Sequence, residues 1–279
     1  MENRHDLSGT AFGNVDKTGY ATGFISYLDT VSTRFKDIKM ASHTLLCLQP
    51  GDSVLDVGCG VGDDLRQLAQ IVAPEGRAVG IDKSHAMIEA ARQRSPDNGL
   101  PLEFDVEDAE QLRWADESFD ACRADRVLQH VENPDRCLAE MVRVLKPGGR
   151  IVVMDRDWGL VGVDADDEIT TEIVLRRASR GIRNGWIGRR LHGMFLGLGI
   201  TGERIRVVPM VLTKFALADT LLDLTTVAHL AASEDLISTE NCRSWLECLE
   251  QRDRSGTFFS VVTIVVASGR RRLPNEEGS

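Results

Sequence analysis

Glycines at three alternate positions, Gly58, Gly60 and Gly62, follow directly on the short run Val54-Leu55-Asp56-Val57. That run is rich in β-branched side chains and suits a strand buried in a parallel sheet. Residues without a Cβ let the backbone turn sharply and approach a ligand closely. Leu65, Leu68, Ala69 and Val72 then recur at helical spacing. The unit is strand, glycine turn, helix, and the helix N-terminus points its free amides at whatever occupies the turn. Many nucleotide-binding folds use such a turn, so the turn alone selects no ligand.

A second apolar run, Ala78-Val79-Gly80-Ile81, ends in Asp82, twenty residues beyond Gly62. An acidic residue at the tip of a second strand is placed to accept hydrogen bonds from ribose hydroxyls. Two ligands compete. A dinucleotide fold wants a small third residue in its glycine motif, yet Asp63 stands there. Its charge would face a pyrophosphate. A nucleoside without phosphates, of which S-adenosylmethionine is the obvious one, fits better. The bland alternative is a structural turn with no ligand, and the pairing of turn with acid weighs against it.

The 279 residues suit one enlarged α/β domain or a domain with a cap. A net charge of −10 argues against a nucleic-acid partner, which needs a basic surface. The chain has no apolar run long enough to span a membrane. Its polar first residues lack the apolar core of a secretion signal. Cys47, Cys59, Cys122, Cys137, Cys242 and Cys248 are scattered, with no paired C-x-x-C spacing. They read as reduced thiols of a cytoplasmic protein, with no metal site.

Along the chain, 1–49 reads as an N-terminal helical cap, with a polar start at 1–19. Phe24, Ile25, Tyr27, Leu28 and Val31 form one apolar stripe and Ile38, Ala41, Leu45, Leu46 and Leu48 another. These helices either cover the sheet or bring Tyr20, Tyr27 and Arg34 over the ligands. Between 50 and 158 strands alternate with helices, which implies a parallel sheet with helices on both faces and ligands at the C-terminal strand ends. Residues 159–202 read as a helical insert or lid followed by a core helix. The segment 203–268 supplies the remaining strands and helices, with a strand at 204–217, one helix at 217–232 and a last strand at 257–267. The tail 269–279 reads as disordered.

The glycine unit resembles the first motif of class I S-adenosylmethionine-dependent methyltransferases. Gly80-Ile81-Asp82 with Met87 resembles the second. Asp108-Ala109, Phe119-Asp120 and Arg143-Val144-Leu145-Lys146-Pro147-Gly148-Gly149-Arg150 resemble the later motifs in order and spacing. The similarity is closest to the bacterial small-molecule branch that includes the ubiquinone and menaquinone enzymes. Arg126-Val127-Leu128-Gln129-His130-Val131 and Asp157-Trp158-Gly159 resemble a subgroup that often acts on secondary metabolites. The resemblance implies an α/β, Rossmann-like, seven-stranded, mostly parallel sheet with an antiparallel last strand. It also implies roles within the cofactor-binding set Asp56, Gly58, Cys59, Gly60, Asp82, Lys83, Met87, Asp108, Ala109 and Arg123. Gly58 and Gly60 would line the methionine part of the cofactor, with the Cys59 amide between them. Asp82 would take the ribose hydroxyls, and Lys83 and Met87 would flank the adenine. Asp108 and the Ala109 amide would meet its edge. The backbone carbonyl of Arg123 would receive the methionine amino group.

Methyl transfer from a sulfonium is an in-line displacement with a good leaving group, so no metal is required. The protein must align the reacting atoms and exclude water. A base is needed only where the nucleophile keeps its proton. His130, Asp155 and Asp157 follow strands four and five, and His130 and Asp157 are the candidates for catalysis. His192 and His229 lie in the cap. Trp158 and Trp186, with Tyr20 and Tyr27, are candidates for the wall around a small-molecule substrate. The arginines of 176–190 form either a solvated helix face or a lure for an acidic substrate. The acceptor atom, whether oxygen, nitrogen or carbon, is not legible. A non-methylating cyclase that keeps the cofactor bound, and an NAD-dependent oxidoreductase, are the alternatives. The assembly reads as a monomer or a homodimer.

Overall fold

The computed structural model describes residues 11–95 and 99–274. A 3-10 turn, Ala11–Asn14, leads into three helices, α1 (Val15–Thr18), α2 (Ala21–Arg34) and α3 (Lys36–Leu45). The glycine unit follows as β1 (Ser53–Val57) and α4 (Asp63–Val72), then β2 (Arg77–Asp82), α5 (His85–Gln93), β3 (Leu102–Val106) and β4 (Phe119–Asp125). Next come α6 (Pro134–Val144), β5 (Leu145–Arg156), the short β6 (Gly162–Val163), α7 (Glu168–Arg180) and α8 (Ile187–Gly197). The chain closes with β7 (Ile200–Leu212), α9 (Phe215–Leu222), α10 (Leu224–Ser233), α11 (Thr239–Ser255) and β8 (Ser260–Arg271).

The sheet runs β3-β2-β1-β4-β5-β8-β6, with β7 also on β8. The pairs among β1 to β5 are parallel, while β8 runs antiparallel to both β5 and β7. Two-residue β6 raises the strand count to eight, one more than the sequence implies. Alternate residues of each strand feed opposite faces. Val54, Ala121, Val152 and Met154 belong to one buried cluster with side chains of α4 and α5. Leu55, Val57, Cys122, Ala124, Ile151 and Val153 pack with α6 and α8. Hydrophobic runs buried on both faces are what a parallel sheet covered by helices requires.

The helical layer beside the cavity draws on more of the chain than the insert expected within 159–202. Helix α8 belongs to the core, since Ile187, Leu191 and Phe195 are fully buried beside Val265 and Ala267 of β8. The lid consists of α7 together with α9, α10 and α11, so it is drawn from both sides of β7. Trp245 Nε1 donates to Thr171 Oγ1 at 2.8 Å, joining α11 to α7. Arg177 pairs with Glu234 at 2.8 Å, joining α7 to the end of α10. The single helix expected at 217–232 is broken: Asp223 has φ 54°, and α9 and α10 meet at 62°. Strand β7 starts earlier and stops earlier than expected, because residues after Leu212 turn away into the lid. The supposed tail still pairs in the sheet as far as Arg271, which leaves 275–279 outside the described residues. Of the polar start, residues from Ala11 onward are helical, and 1–10 lie outside the described residues, as does the side chain of Val31. Among the described residues no single helix is long and apolar enough to cross a membrane.

Assigning α8 to the core has a measurable consequence. Leu191→Ala should lower unfolding stability by ~2–5 kcal/mol, because it removes buried methyls against the sheet. Leu196→Ala, on the exposed side of the same helix, should stay within about 0.5 kcal/mol of the parent. Urea titrations of both variants check this, and equal losses would place α8 outside the core.

Candidate functional site

One cavity of about 730 Å³ lies between the C-terminal strand ends and the lid. This is where an open parallel sheet leaves its backbone free to meet a ligand. The glycine turn forms its floor. Gly58 has φ 66°, and a Cβ there would stand 2.4 Å from Val127 Cγ2. No larger residue fits, so the backbone itself faces the cavity. The Cys59 amide donates to the Ile81 carbonyl at 2.8 Å, which locks the turn onto the end of β2. Burial pushes the Cys59 thiol well up, so it stays neutral.

Asp82 stands where β2 ends. Its Oδ2 accepts from the Gly60 amide at 3.0 Å and its Oδ1 from the Ser84 amide at 2.9 Å. Burial raises its pKa against these two bonds. Each oxygen keeps a second lone pair for a hydroxyl. Ser84 caps α5 by accepting from the Met87 amide at 3.2 Å. Met87 packs with Val15, Phe24 and Val61. Lys83 pairs with Asp108 at 3.3 Å, and Asp108 also accepts from the Glu110 amide at 3.0 Å. The backbone at Ala109 continues that wall.

Behind the turn lies a buried ionic cluster. The Arg123 guanidinium is 1% exposed and reaches Asp56 at 2.9 Å, Asp125 at 3.1 Å and Asp64 at 3.3 Å. Lys39 adds a bond to Asp64 at 2.7 Å. Burial would raise Asp64, but Arg123, His43 and Lys39 outweigh it and hold the carboxyl well below the usual range. Asp125 is lowered likewise, with Arg126, Arg123 and Lys39 overcoming burial. For Asp56 burial wins over Arg123, and its pKa rises. This geometry corrects the reading of Arg123. It sits inside β4, in register with Asp56 of β1 and Val152 of β5, so its carbonyl belongs to the sheet ladder. The strand ends two residues later at Asp125.

The N-terminal segment closes one side. Asp16 accepts from Ser84 Oγ at 2.6 Å and from the His85 and Ala86 amides at 2.8 and 3.2 Å. A carboxylate there satisfies the free amides of α5 and docks α1 beside Asp82. Phe12 lies 5.5 Å from Tyr27 and stacks on His130 at 5.3 Å, ring centre to ring centre. Tyr20, Tyr27 and His130 all line the cavity.

The far half is built on two Asp-Arg pairs at neighbouring strand ends, Asp125-Arg126 on β4 and Asp155-Arg156 on β5. The Arg126 guanidinium bonds Asp125 at 2.9 Å and lies 4.8 Å from the Phe35 ring centre. Arg156 lies over Phe35 and Trp158 and donates to the Leu221 carbonyl of α9 at 3.0 Å. Trp158 is fixed by a 2.8 Å bond from its Nε1 to Gln129 Oε1. Asp155 is wholly buried, and burial pushes its carboxyl up to about 8.

Two expected site residues are elsewhere. Asp157 does not line the cavity. It is fully buried, accepts from the Gly159 amide at 3.0 Å and pairs with Arg189 at 2.6 Å. Those bonds hold the turn after β5, so it is neither a base nor a substrate contact. Trp186 is 57% exposed, lies 4.9 Å under the Arg189 guanidinium and forms no part of the cavity wall. The arginine set divides: Arg176 makes an exposed pair with Glu172, whereas Arg177 and Arg183 line the cavity. Sequence reading missed Asp16, Lys39, Asp64, Arg126, Gln129 and Arg156. The repeated Asp-Arg at successive strand ends was a usable signal for two of them; nothing local marks Asp16.

Residues 48–176 match a family model described as a methyltransferase domain. An uncharacterised 37.1 kDa protein in transposon Tn4556 of Streptomyces fradiae is 37% identical over 87% of this chain and 70% of its own. The ubiquinone/menaquinone biosynthesis C-methyltransferase UbiE of Bordetella avium is 40% identical over 39% of this chain, and the match spans 42% of that enzyme's length. The phosphoethanolamine N-methyltransferase 2 of Haemonchus contortus, solved with S-adenosyl-L-methionine, superposes with a TM-score of 0.58 at 20% identity, covering 95% of this chain and 60% of that one. At that identity the likeness is one of fold.

The buried charges make two tests. Arg123→Met would leave three buried carboxylates without their shared cation, and should cost ~3–5 kcal/mol of unfolding stability by urea titration; a loss under about 1 kcal/mol would show the cluster to be solvated. Asp155 is the pH test. Its folded pKa is raised, so its contribution is full below the unfolded value of about 4 and is lost as pH rises through about 8. Asp155→Asn should therefore flatten the fall of the melting temperature between pH 5 and 9, and parallel curves for parent and variant would refute the assignment.

Proposed function

The chain belongs to the class I S-adenosylmethionine-dependent methyltransferase family, and on that premise we propose that it methylates an oxygen, nitrogen or carbon nucleophile of a small organic molecule held between the strand ends and the helical lid. The observation that carries this reading is one continuous cavity that joins the glycine turn and Asp82 to Trp158, Arg156 and the lid residues Leu221 and Val227.

The turn side suits the cofactor on two counts. Gly58 leaves no room for a side chain, so a ligand can lie on bare backbone. The wall there is dominated by acids, among them Asp63, Asp82, Glu107, Asp108, Glu110 and Glu132. Such a wall favours a ligand carrying a positive sulfonium and penalises a pyrophosphate. When bound, S-adenosylmethionine supplies an electrophilic methyl group on a good leaving group. Asp82 is the residue for the ribose hydroxyls, since both its oxygens already face the turn and keep spare lone pairs. Lys83, Met87, Asp108 and Ala109 form the adenine slot. The Asp125 end of β4, rather than Arg123, is the place for the amino group of the methionine part.

The acceptor side excludes water through the lid and the N-terminal helices, which raises the strength of every polar contact inside. His130, stacked on Phe12 and lining the cavity, is the candidate general base. Tyr20, Tyr27 and Trp158 shape the space around the acceptor. A role in secondary metabolism suits a lid built around an individual substrate.

Calorimetric titration with S-adenosylmethionine checks the cofactor half, and labelled-methyl transfer with release of S-adenosylhomocysteine checks the reaction. Asp82→Ala should weaken cofactor binding by about 1.5–3 kcal/mol through loss of hydrogen bonds to a carboxylate; unchanged binding would sink the ribose role. Substrate conversion with bound cofactor left intact would favour the non-methylating cyclase.

A further inference from the structure

We propose that the acceptor is an organic acid whose carboxylate is received by Arg156, with an apolar body resting on Trp158 and the lid. This rests on the reading of the cavity as a methyl-transfer site and specifies its substrate class.

Arg156 carries the argument. It is 4% exposed, lines the cavity and spends one nitrogen on the Leu221 carbonyl. Its Nε and Nη2 are buried and have no hydrogen-bond partner among the described residues. Two idle donors on a desolvated cation are costly unless a ligand satisfies them. Contact with the faces of Phe35 and Trp158 supplies part of the compensation but no acceptor atom.

The neighbouring acids do not neutralise it. Asp125 is shared among Arg123, Arg126 and Lys39. Asp155 turns its carboxyl to the amides of Gln129 and Arg156, and burial pushes its pKa up to about 8. Arg183 adds positive charge to the cavity wall from beyond α7. Asp219 and Asp223 of the lid are also on the wall, and Asp219 accepts from the Thr225 amide at 2.7 Å. A singly charged planar carboxylate matches the guanidinium fork. The rest of the far wall is apolar, with Ile182, Leu222, Val227 and Leu230.

The test uses the full chain loaded with S-adenosylhomocysteine and two probes of one shape, benzoate and benzamide. Calorimetry should show benzoate binding at least about tenfold more tightly than benzamide, as expected for a charge-assisted pair. Arg156→Met should erase that ratio while leaving S-adenosylhomocysteine affinity unchanged, and Arg156→Lys should restore part of it. Equal binding of the two probes to the parent protein, or binding of neither, overturns the proposal, and this comparison does not depend on any variant folding. A ratio that survives Arg156→Met would also overturn it. Failure of S-adenosylhomocysteine itself to bind would instead overturn the methyltransferase reading of the site.

Discussion

Arg123 holds the site together. One guanidinium in the middle of β4 joins Asp56 of β1, Asp64 of α4 and Asp125 at its own strand end, while Lys39 brings α3 to the same acids. A charge so deeply buried survives only because its partners are fixed before a ligand arrives. The cluster therefore sets the spacing between the glycine turn and the end of β4. It does so through side chains that come from four separate elements, so no one stretch of sequence displays it.

Two closures act on this base. Asp16 ties the N-terminal helices to the amides of α5, next to the acid that ends β2. The lid helices are tied to each other by Trp245 and Arg177 and to β5 by Arg156 through the Leu221 carbonyl. The bond to Leu221 falls just before Asp223, where α9 and α10 bend apart. The acceptor side is thus shaped by contacts between elements distant along the chain. On the cofactor side the glycine turn is itself a loop of a few residues, and the Arg123 cluster and Asp16 hold it from a distance.

That difference explains what could be read in advance. The strand–turn–helix unit, the acid at Asp82 and the alternation through β5 are local patterns, because a glycine turn and a buried strand restrict residue types position by position. Asp157 and Trp186 misled because each follows a strand or opens a helix where ligands often sit. Arg189 engages both outside the cavity, Asp157 by a salt bridge and Trp186 by lying over its ring. Arg123 was placed near the right atoms for the wrong reason: its side chain matters, and its carbonyl is committed to the ladder. Sequence alone places the lid between β5 and the core helix, since nothing local shows that α10 and α11 pack on α7, with α9 against them.

By itself the sequence determined the alternation of strands and helices up to β5 and the face that binds a nucleoside, since these follow from hydrophobic period and from the glycine turn. Tertiary structure alone decided which charges are buried together, which helices make the lid and where Arg156 is left with idle donors. The physical reason is distance along the chain: burial and ion pairing depend on neighbours in space, and residues such as Arg123 and Asp56 or Arg156 and Leu221 meet only once the sheet and lid have closed.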